Sequence, residues 1–370
     1  MDAHGHPRNS GNGSGNLSFG QEQLWFLEQL NGPGSRYNVG KAFVVTGELD
    51  EPALEEALAL VLERQEALRA TFHHVDGVPR QQLHDVRRPA LEVVDVAHLD
   101  DPAVQEAVTS RALTPFSLAE GPLCRFVLFR KGPGRAVLLV SLHHIVTDGW
   151  STTLLLREVS EAYAALVHGR RPEFAPLPVT WSAHVDRLRT GAEPDEWAEQ
   201  LAFWRTQLAD LPALELPADG SRDRTTGAGH VLVVALEAQL VRSLRQRCAE
   251  RHTSLFAALA GALGLVLARY TNQPDVPLGM PLLGRPDPDL EHLVGYFINM
   301  AVLRVALDGE ATFWQLADQV SESVLDVYEN GDVPFHRVVE AVAPHRDATR
   351  NPLFQVSLQV LDRHTGGAGL

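Results

Sequence analysis

Two adjacent histidines, His143 and His144, end an apolar run, and an Asp148-Gly149 pair follows close behind. A neutral imidazole has the right basicity to move a proton near pH 7. Neighbouring side chains on a strand point to opposite faces. One histidine should therefore be structural and the other free to act. Asp148, on the turn, is placed to orient a loop through an ion pair rather than to touch a substrate. The same residues fit a satisfied histidine pair in a core, and the segment alone leaves both readings open. A metal site is not indicated, because the spacing supplies no third ligand.

Those side chains need elements to hold them. Arg135 to Leu142 reads as a strand running into the histidines, paired with a strand at Cys124 to Arg130 through the turn Gly132-Pro133-Gly134. Ser151 is the expected cap of a long helix carrying Leu154, Leu155, Val159, Ala162, Tyr163 and Val167. Upstream, Ala42 to Thr46 reads as a strand. Asp50 caps a helix entered through Pro52, with Leu54, Leu58, Val61 and Leu62 on one face. In the second half, Val231 to Leu236, Tyr296 to Val305 and Phe354 to Leu361 read as strands, and Ser254 and Thr312 as helix caps. Residues 1–16, rich in Gly, Asn and Ser, read as a disordered leader, with structure from Leu17. The proline-rich stretch from Gly169 to Pro178 reads as a linker. The pattern predicts a mixed α/β (α+β) fold in two lobes, 17–172 and 173–370.

Composition narrows the function. A chain of 370 residues exceeds what one core usually serves. A net charge of −15 argues against nucleic acid or an anionic membrane as partner. No apolar run is long enough to span a bilayer, and the N-terminus lacks a secretory core. Cys124 and Cys248 suggest neither a metal site nor a disulfide framework and read as small buried hydrophobes. The simplest reading is a reduced, cytoplasmic protein. The Gly132-Pro133-Gly134 turn lacks what a phosphate loop needs. His73-His74 read as surface, and Arg285 to Asp289 as a solvated loop.

The segment Leu142-His143-His144-Ile145-Val146-Thr147-Asp148-Gly149-Trp150-Ser151 resembles the HHxxxDG signature of condensation domains of nonribosomal peptide synthetases. Five more signatures occur in that family's order. Leu17-Ser18-Phe19-Gly20-Gln21 through Leu24-Trp25-Phe26-Leu27 resembles the opening motif, and Arg64 to Phe72 resembles RHExLRTxF. Val294-Gly295-Tyr296-Phe297-Ile298-Asn299 through Arg304 resembles VGxFVNT…R. Asp332-Val333-Pro334-Phe335 resembles QDxPFE, and Arg346 to Leu353 resembles RDxSRNPL.

The resemblance implies two chloramphenicol-acetyltransferase-like lobes in a V, with the histidine loop at their junction. It implies donor and acceptor peptidyl carrier proteins, each threading a phosphopantetheine arm down a tunnel, within a set of synthetase modules. No cofactor or metal of the domain's own is implied. The amine of a carrier-bound aminoacyl group would attack a carrier-bound acyl or peptidyl thioester. His144 matches the family's second motif histidine, and His143 the one before it. Asp148 matches a residue that pairs with an arginine, for which Arg285 fits. Gly149 would keep the tunnel open, and Asn299, Trp150 and Ser151 would line the substrate path. The implied activity is acyl transfer forming an amide. A non-catalytic platform recruiting a carrier protein or tailoring enzyme, and an ester-forming variant, are the alternatives.

Departures from the family pattern fall at Gln23, Gln65, Gly331 and His336, and the YxDYAxW-like motif is hardly legible around Trp181-Ser182-Ala183-His184. The C-terminal lobe ends short of the further strands that the resemblance implies. A boundary cut through a larger synthetase, a short variant and an inactive remnant all fit. The Met1 start favours a separate polypeptide.

Overall fold

The computed structural model describes residues 14–85, 91–191, 197–218, 220, 229–342 and 350–361. The expected leader lies outside these residues up to 13. Its end does not: β1 (Ser14–Gly15) already pairs with a strand, ahead of the expected start at Leu17. The Arg346 to Thr349 half of the last motif also lies outside the described residues. The chain divides into two compact units. The first runs through 192 and takes back 285–297, and the second holds 193–284 and 298–361. The proline-rich 169–178 stretch therefore sits inside the first unit, and the division falls later than the expected one at 172.

In the first unit β1 is followed by α1 (Phe19–Asn31), β2 (Asn38–Thr46), α2 (Glu51–Arg64), β3 (Ala70–Val75), β4 (Val78–Leu83), β5 (Leu91–Asp95) and α3 (Asp101–Ala112). Then come β6 (Cys124–Gly132), β7 (Arg135–His143), α4 (Gly149–Val167) and α5 (Trp181–Thr190). The main sheet has the order β2-β7-β6-β5, antiparallel except for the β5–β6 pair. β1, β4 and β3 form a second, antiparallel sheet. β7 is central, and from Leu138 to its end every side chain is buried. The apolar face of α2 and that of α4, with Leu154, Leu155, Val159 and Ala162, close over this sheet as one core. Asp50 caps α2 through the Ala53 N–H, with Pro52 in its first turn.

The second unit contains α6 (Ala198–Gln207), α7 (Ala238–Glu250), α8 (Leu255–Thr271), β8 (Asp275–Leu282), β9 (Asn299–Ala306), α9 (Phe313–Glu329), α10 (Phe335–Val342) and β10 (Val356–Ser357). Its sheet has the order β10-β8-β9, with β10 parallel to β8 and β9 antiparallel. Ser254 and Thr312 cap α8 and α9, the latter in a capping box with Gln315. Three strand readings change here, the first being Tyr296 to Val305, which starts only at Asn299 and runs to Ala306. Val231 to Leu236 has the apolar composition of a strand, yet it pairs with no described strand. Its large side chains are 63–91% exposed, from Leu236 to Val231. The last strand shrinks to Val356–Ser357. Among the described residues no single helix is long and apolar enough to cross a membrane.

The departure at Gly331 has a packing cause. A Cβ there would lie 2.3 Å from Leu282 Cδ1 and 3.0 Å from the Val327 carbonyl oxygen. Leu282 belongs to the core, so it has little room to yield. Restoring the family's glutamine, Gly331→Gln, should destabilise the fold by about 1–3 kcal/mol through overpacking. Denaturant unfolding of the two proteins measures it.

Candidate active site

The histidine turn grows out of the end of β7. His143 is the last residue of the strand and pairs with Asn38, so its side chain is committed to the core, at 0% exposure. Its Nδ1 accepts from the Ile145 N–H at 3.1 Å, which places the ring proton on Nε2. Burial, and then the neighbouring His144 charge, pull its pKa down to about 4, so it stays neutral at pH 7.

His144 opens a single 3₁₀ turn, His144–Val146, and is half-buried. Its backbone N–H extends the ladder to the Tyr37 carbonyl at 2.7 Å. Its Nδ1 lies 2.7 Å from the Thr147 carbonyl oxygen. A carbonyl only accepts, so Nδ1 carries a proton, and in the neutral ring the lone pair lies on Nε2. The two histidines thus hold opposite tautomers, each dictated by a backbone group within three residues. The turn is also gripped from α1. Ser18 and Gln21 form a capping box, and the fully buried Gln21 amide donates to the Ile145 carbonyl at 3.0 Å.

Asp148 ends the turn and caps α4, accepting from the Ser151 N–H at 2.7 Å. The expected cap, Ser151, instead lies inside the first helical turn. Its hydroxyl is fully buried, accepts from Arg285 at 2.7 Å and from the Gly295 N–H at 3.1 Å, and donates to the Gly295 carbonyl at 2.8 Å. With its hydrogen and its lone pairs so engaged, Ser151 brackets Arg285 and Gly295.

Arg285 and Asp148 form a buried ion pair, with Nη2 to Oδ1 at 3.8 Å and side chains 5% and 3% exposed. Ser151 bridges them. Asp148 Oδ2 also accepts the Phe297 N–H at 3.1 Å. Arg285 donates to the Leu290 and Leu293 carbonyls and lies 3.6 Å over the Phe297 ring. Burial lowers its pKa to about 10 against the pull of Asp148, which still leaves it charged at pH 7.

The remaining expected residues separate into different roles. Trp150 is partly exposed and donates its indole N–H to the Glu291 carbonyl at 3.0 Å. Gly149 is exposed, and a Cβ built on it meets nothing within 4 Å. Asn299, in the second unit, has its amide occupied by backbone. It donates to the Gly331 and Val333 carbonyls at 2.8 and 2.7 Å and accepts from the Phe335 N–H at 3.0 Å. Asn299 therefore clamps the 331–335 turn. The sequence reading missed Gln21, Thr147 and the bracket role of Ser151; the Ser18-x-x-Gln21 spacing was the legible signal for the first. At Gln65 the departure is well satisfied. Its amide donates to Glu158 and to the His292 carbonyl and accepts from the Val294 N–H, each at 3.0 Å. Trp181 is fully buried, with its ring where a Gly295 Cβ would lie, 2.1 Å from Cζ3. His184 packs against Trp181 and Phe297, and burial, with Arg285 beyond it, lowers its pKa to about 4. Cys124 and Cys248 are buried free thiols, and burial pushes that of Cys124 up to about 12.

Two outcomes follow. Asp148→Asn keeps a helix cap but leaves Arg285 buried without a counter-charge. It should cost about 3–5 kcal/mol in denaturant unfolding. His143 and His184 titrate near 4 in the fold and near 6.5 unfolded, so only the unfolded chain takes up their protons between those values. Stability should fall as pH drops from about 6.5 to 4, by about 3 kcal/mol per histidine, and His184→Leu should make the decline shallower.

The condensation domain family model matches residues 13–363. The dimodular nonribosomal peptide synthase of Bacillus subtilis is 39% identical over 351 residues, covering 92% of this chain and 15% of that protein. The isonitrile lipopeptide synthase of Mycobacterium tuberculosis is 39% identical over 363 residues, covering 96% of this chain and 14% of that protein. The chain thus spans a small fraction of these relatives. Among solved structures, the X-domain from teicoplanin biosynthesis is similar with a TM-score of 0.82 and 28% identity, over 93% of this chain and 77% of that one. A holo four-domain nonribosomal peptide synthetase bound to AMP and glycine is similar with a TM-score of 0.84 and 26% identity, over 93% of this chain and 26% of that one. With six motifs in order and a match over most of its length, the chain belongs to the condensation domain family.

Proposed function

We propose that this domain forms an amide bond between two carrier-bound substrates, with His144 as the proton-transfer group. The amine of an aminoacyl thioester attacks the carbonyl of an acyl or peptidyl thioester. A C–N bond forms, the C–S bond breaks, and the thiol leaves with a proton. His144 Nε2 takes the proton from the attacking nitrogen and returns it to the departing sulfur. The observation that carries this reading is the 2.7 Å bond from His144 Nδ1 to the Thr147 carbonyl, which puts the single proton of the neutral ring on Nδ1 and its lone pair on Nε2. Holding both substrates on phosphopantetheine arms of partner carrier proteins makes the step effectively unimolecular. Thioester aminolysis is downhill, so positioning and one proton shuttle suffice, with no cofactor.

A second reading is a platform that binds a carrier protein or tailoring enzyme without turnover. It is favoured by the likeness to the X-domain of teicoplanin biosynthesis, solved also in complex with OxyB (TM-score 0.80, 27% identity). Ester formation with a hydroxyl acceptor would use the same base.

Two loaded carrier proteins, incubated with the domain and scored by intact-protein mass, separate these readings. Amide transfer is expected, and His144→Ala should slow it by about 10²–10⁴-fold with the fold intact. Carrier binding without transfer over a broad donor panel supports the platform. Undiminished transfer by the variant overturns the role of His144.

A further inference from the structure

We infer that Tyr296 is a positioning residue for His144, an inference that rests on the proton-transfer reading of that imidazole. The two rings meet edge to face, with centroids 5.2 Å apart and planes at 86°. Three other restraints act on His144: its backbone N–H bonds the Tyr37 carbonyl, its carbonyl accepts the Thr147 N–H, and its Nδ1 bonds the Thr147 carbonyl. All hold the residue at its base. None opposes a tilt about the Nδ1 hydrogen bond, and that tilt swings Nε2. The Tyr296 ring blocks it.

Tyr296 can do this because its own backbone is fixed on both sides. The Val294 N–H bonds Gln65, Gly295 is bracketed in both directions by the Ser151 hydroxyl, and the Phe297 N–H bonds Asp148. The network that satisfies Asp148 therefore also sets the wall against which the imidazole rests. Burial holds the phenol far above its usual pKa, so Tyr296 stays a neutral surface at any working pH. The part that acts on His144 is the ring and not the hydroxyl.

An edge-to-face pair contributes roughly a 2- to 12-fold bias toward one ring orientation. Tyr296→Phe should preserve transfer within about twofold. Tyr296→Leu and Tyr296→Ala should lower kcat by roughly 2- to 12-fold at unchanged KM. The His144 ring ¹⁵N resonances of the full chain, assigned by comparison with His144→Gln and read without substrates, should keep the Nδ1-protonated pattern in Tyr296→Phe. In the other two variants they should shift toward mixed tautomers. The resonances report orientation whether or not the domain transfers acyl groups, so they stand apart from the outcome of the transfer assay. Tyr296→Leu with wild-type kcat and wild-type resonances overturns the inference. So does Tyr296→Phe behaving like Tyr296→Ala, which would assign the effect to the hydroxyl. Thermal melting identifies a variant that fails to fold, and the remaining truncation variant then decides.

Discussion

A carboxylate taken out of water has to be paired and hydrogen-bonded, and the site depends on how Asp148 meets that demand. Its two oxygens accept the N–H groups of Ser151 and Phe297, and its charge faces Arg285. One of those donors is the first turn of α4 and the other belongs to a segment nearly 150 residues later. Truncating the Asp148 side chain would thus undo a helix cap, a long-range backbone anchor and a counter-charge together. Ser151 carries the same logic further, since one hydroxyl serves Arg285 and both polar groups of Gly295. Gly295 in turn admits the Trp181 ring, because a Cβ would occupy the same space.

The histidine turn is stabilised separately, by α1 and the central strand. His143 is consumed by the core and defines where β7 stops. The next residue then leaves the strand, which frees its side chain from the alternation of faces. This is how two adjacent histidines come to serve unlike purposes. The neutral, buried ring of His143 donates rigidity, while the half-buried ring of His144 keeps one nitrogen available.

The local elements were largely legible because their signals are local. Asp50 with Pro52, Ser254 and Thr312 cap helices, and the Gly132-Pro133-Gly134 turn joins two strands of alternating or continuous apolar character. Val231 to Leu236 shows the limit of such signals. Its composition suits a strand, but a strand exists only with a partner, and none of the described strands pairs with it. At the site, the ion-pair role of Asp148 was legible from its place on the turn, but Arg285 as its partner was legible through the family pattern alone. The sequence separation of 137 positions between them carries no physical signal. Ser151 was misassigned for the opposite reason. A serine near a helix start reads as a cap, and only the structure shows that Asp148 holds that place and that the serine faces inward. Asn299 was read from the family motif as part of the substrate path, and only the structure shows that its amide clamps the 331–335 backbone.

The chemistry open to this arrangement follows from which groups are already engaged. On the C-terminal side of His144 the Thr147 and Ser151 hydroxyls are buried and hydrogen-bonded, while that of Ser141, three residues before it, is fully buried within β7. That of Thr147 lies 3.0 Å from Thr152 Oγ1 and that of Ser151 is shared with Gly295 and Arg285. Neither is poised as a nucleophile next to a base, the arrangement on which a covalent acyl-enzyme depends. His144 Nε2 is the polar group of the turn with a lone pair and no described partner. A base without a neighbouring nucleophile suits a reaction in which the substrates bring both nucleophile and electrophile, and the protein supplies geometry and a proton path. That is the demand of thioester aminolysis. The network around Asp148 likewise holds backbone in place rather than presenting further reactive groups.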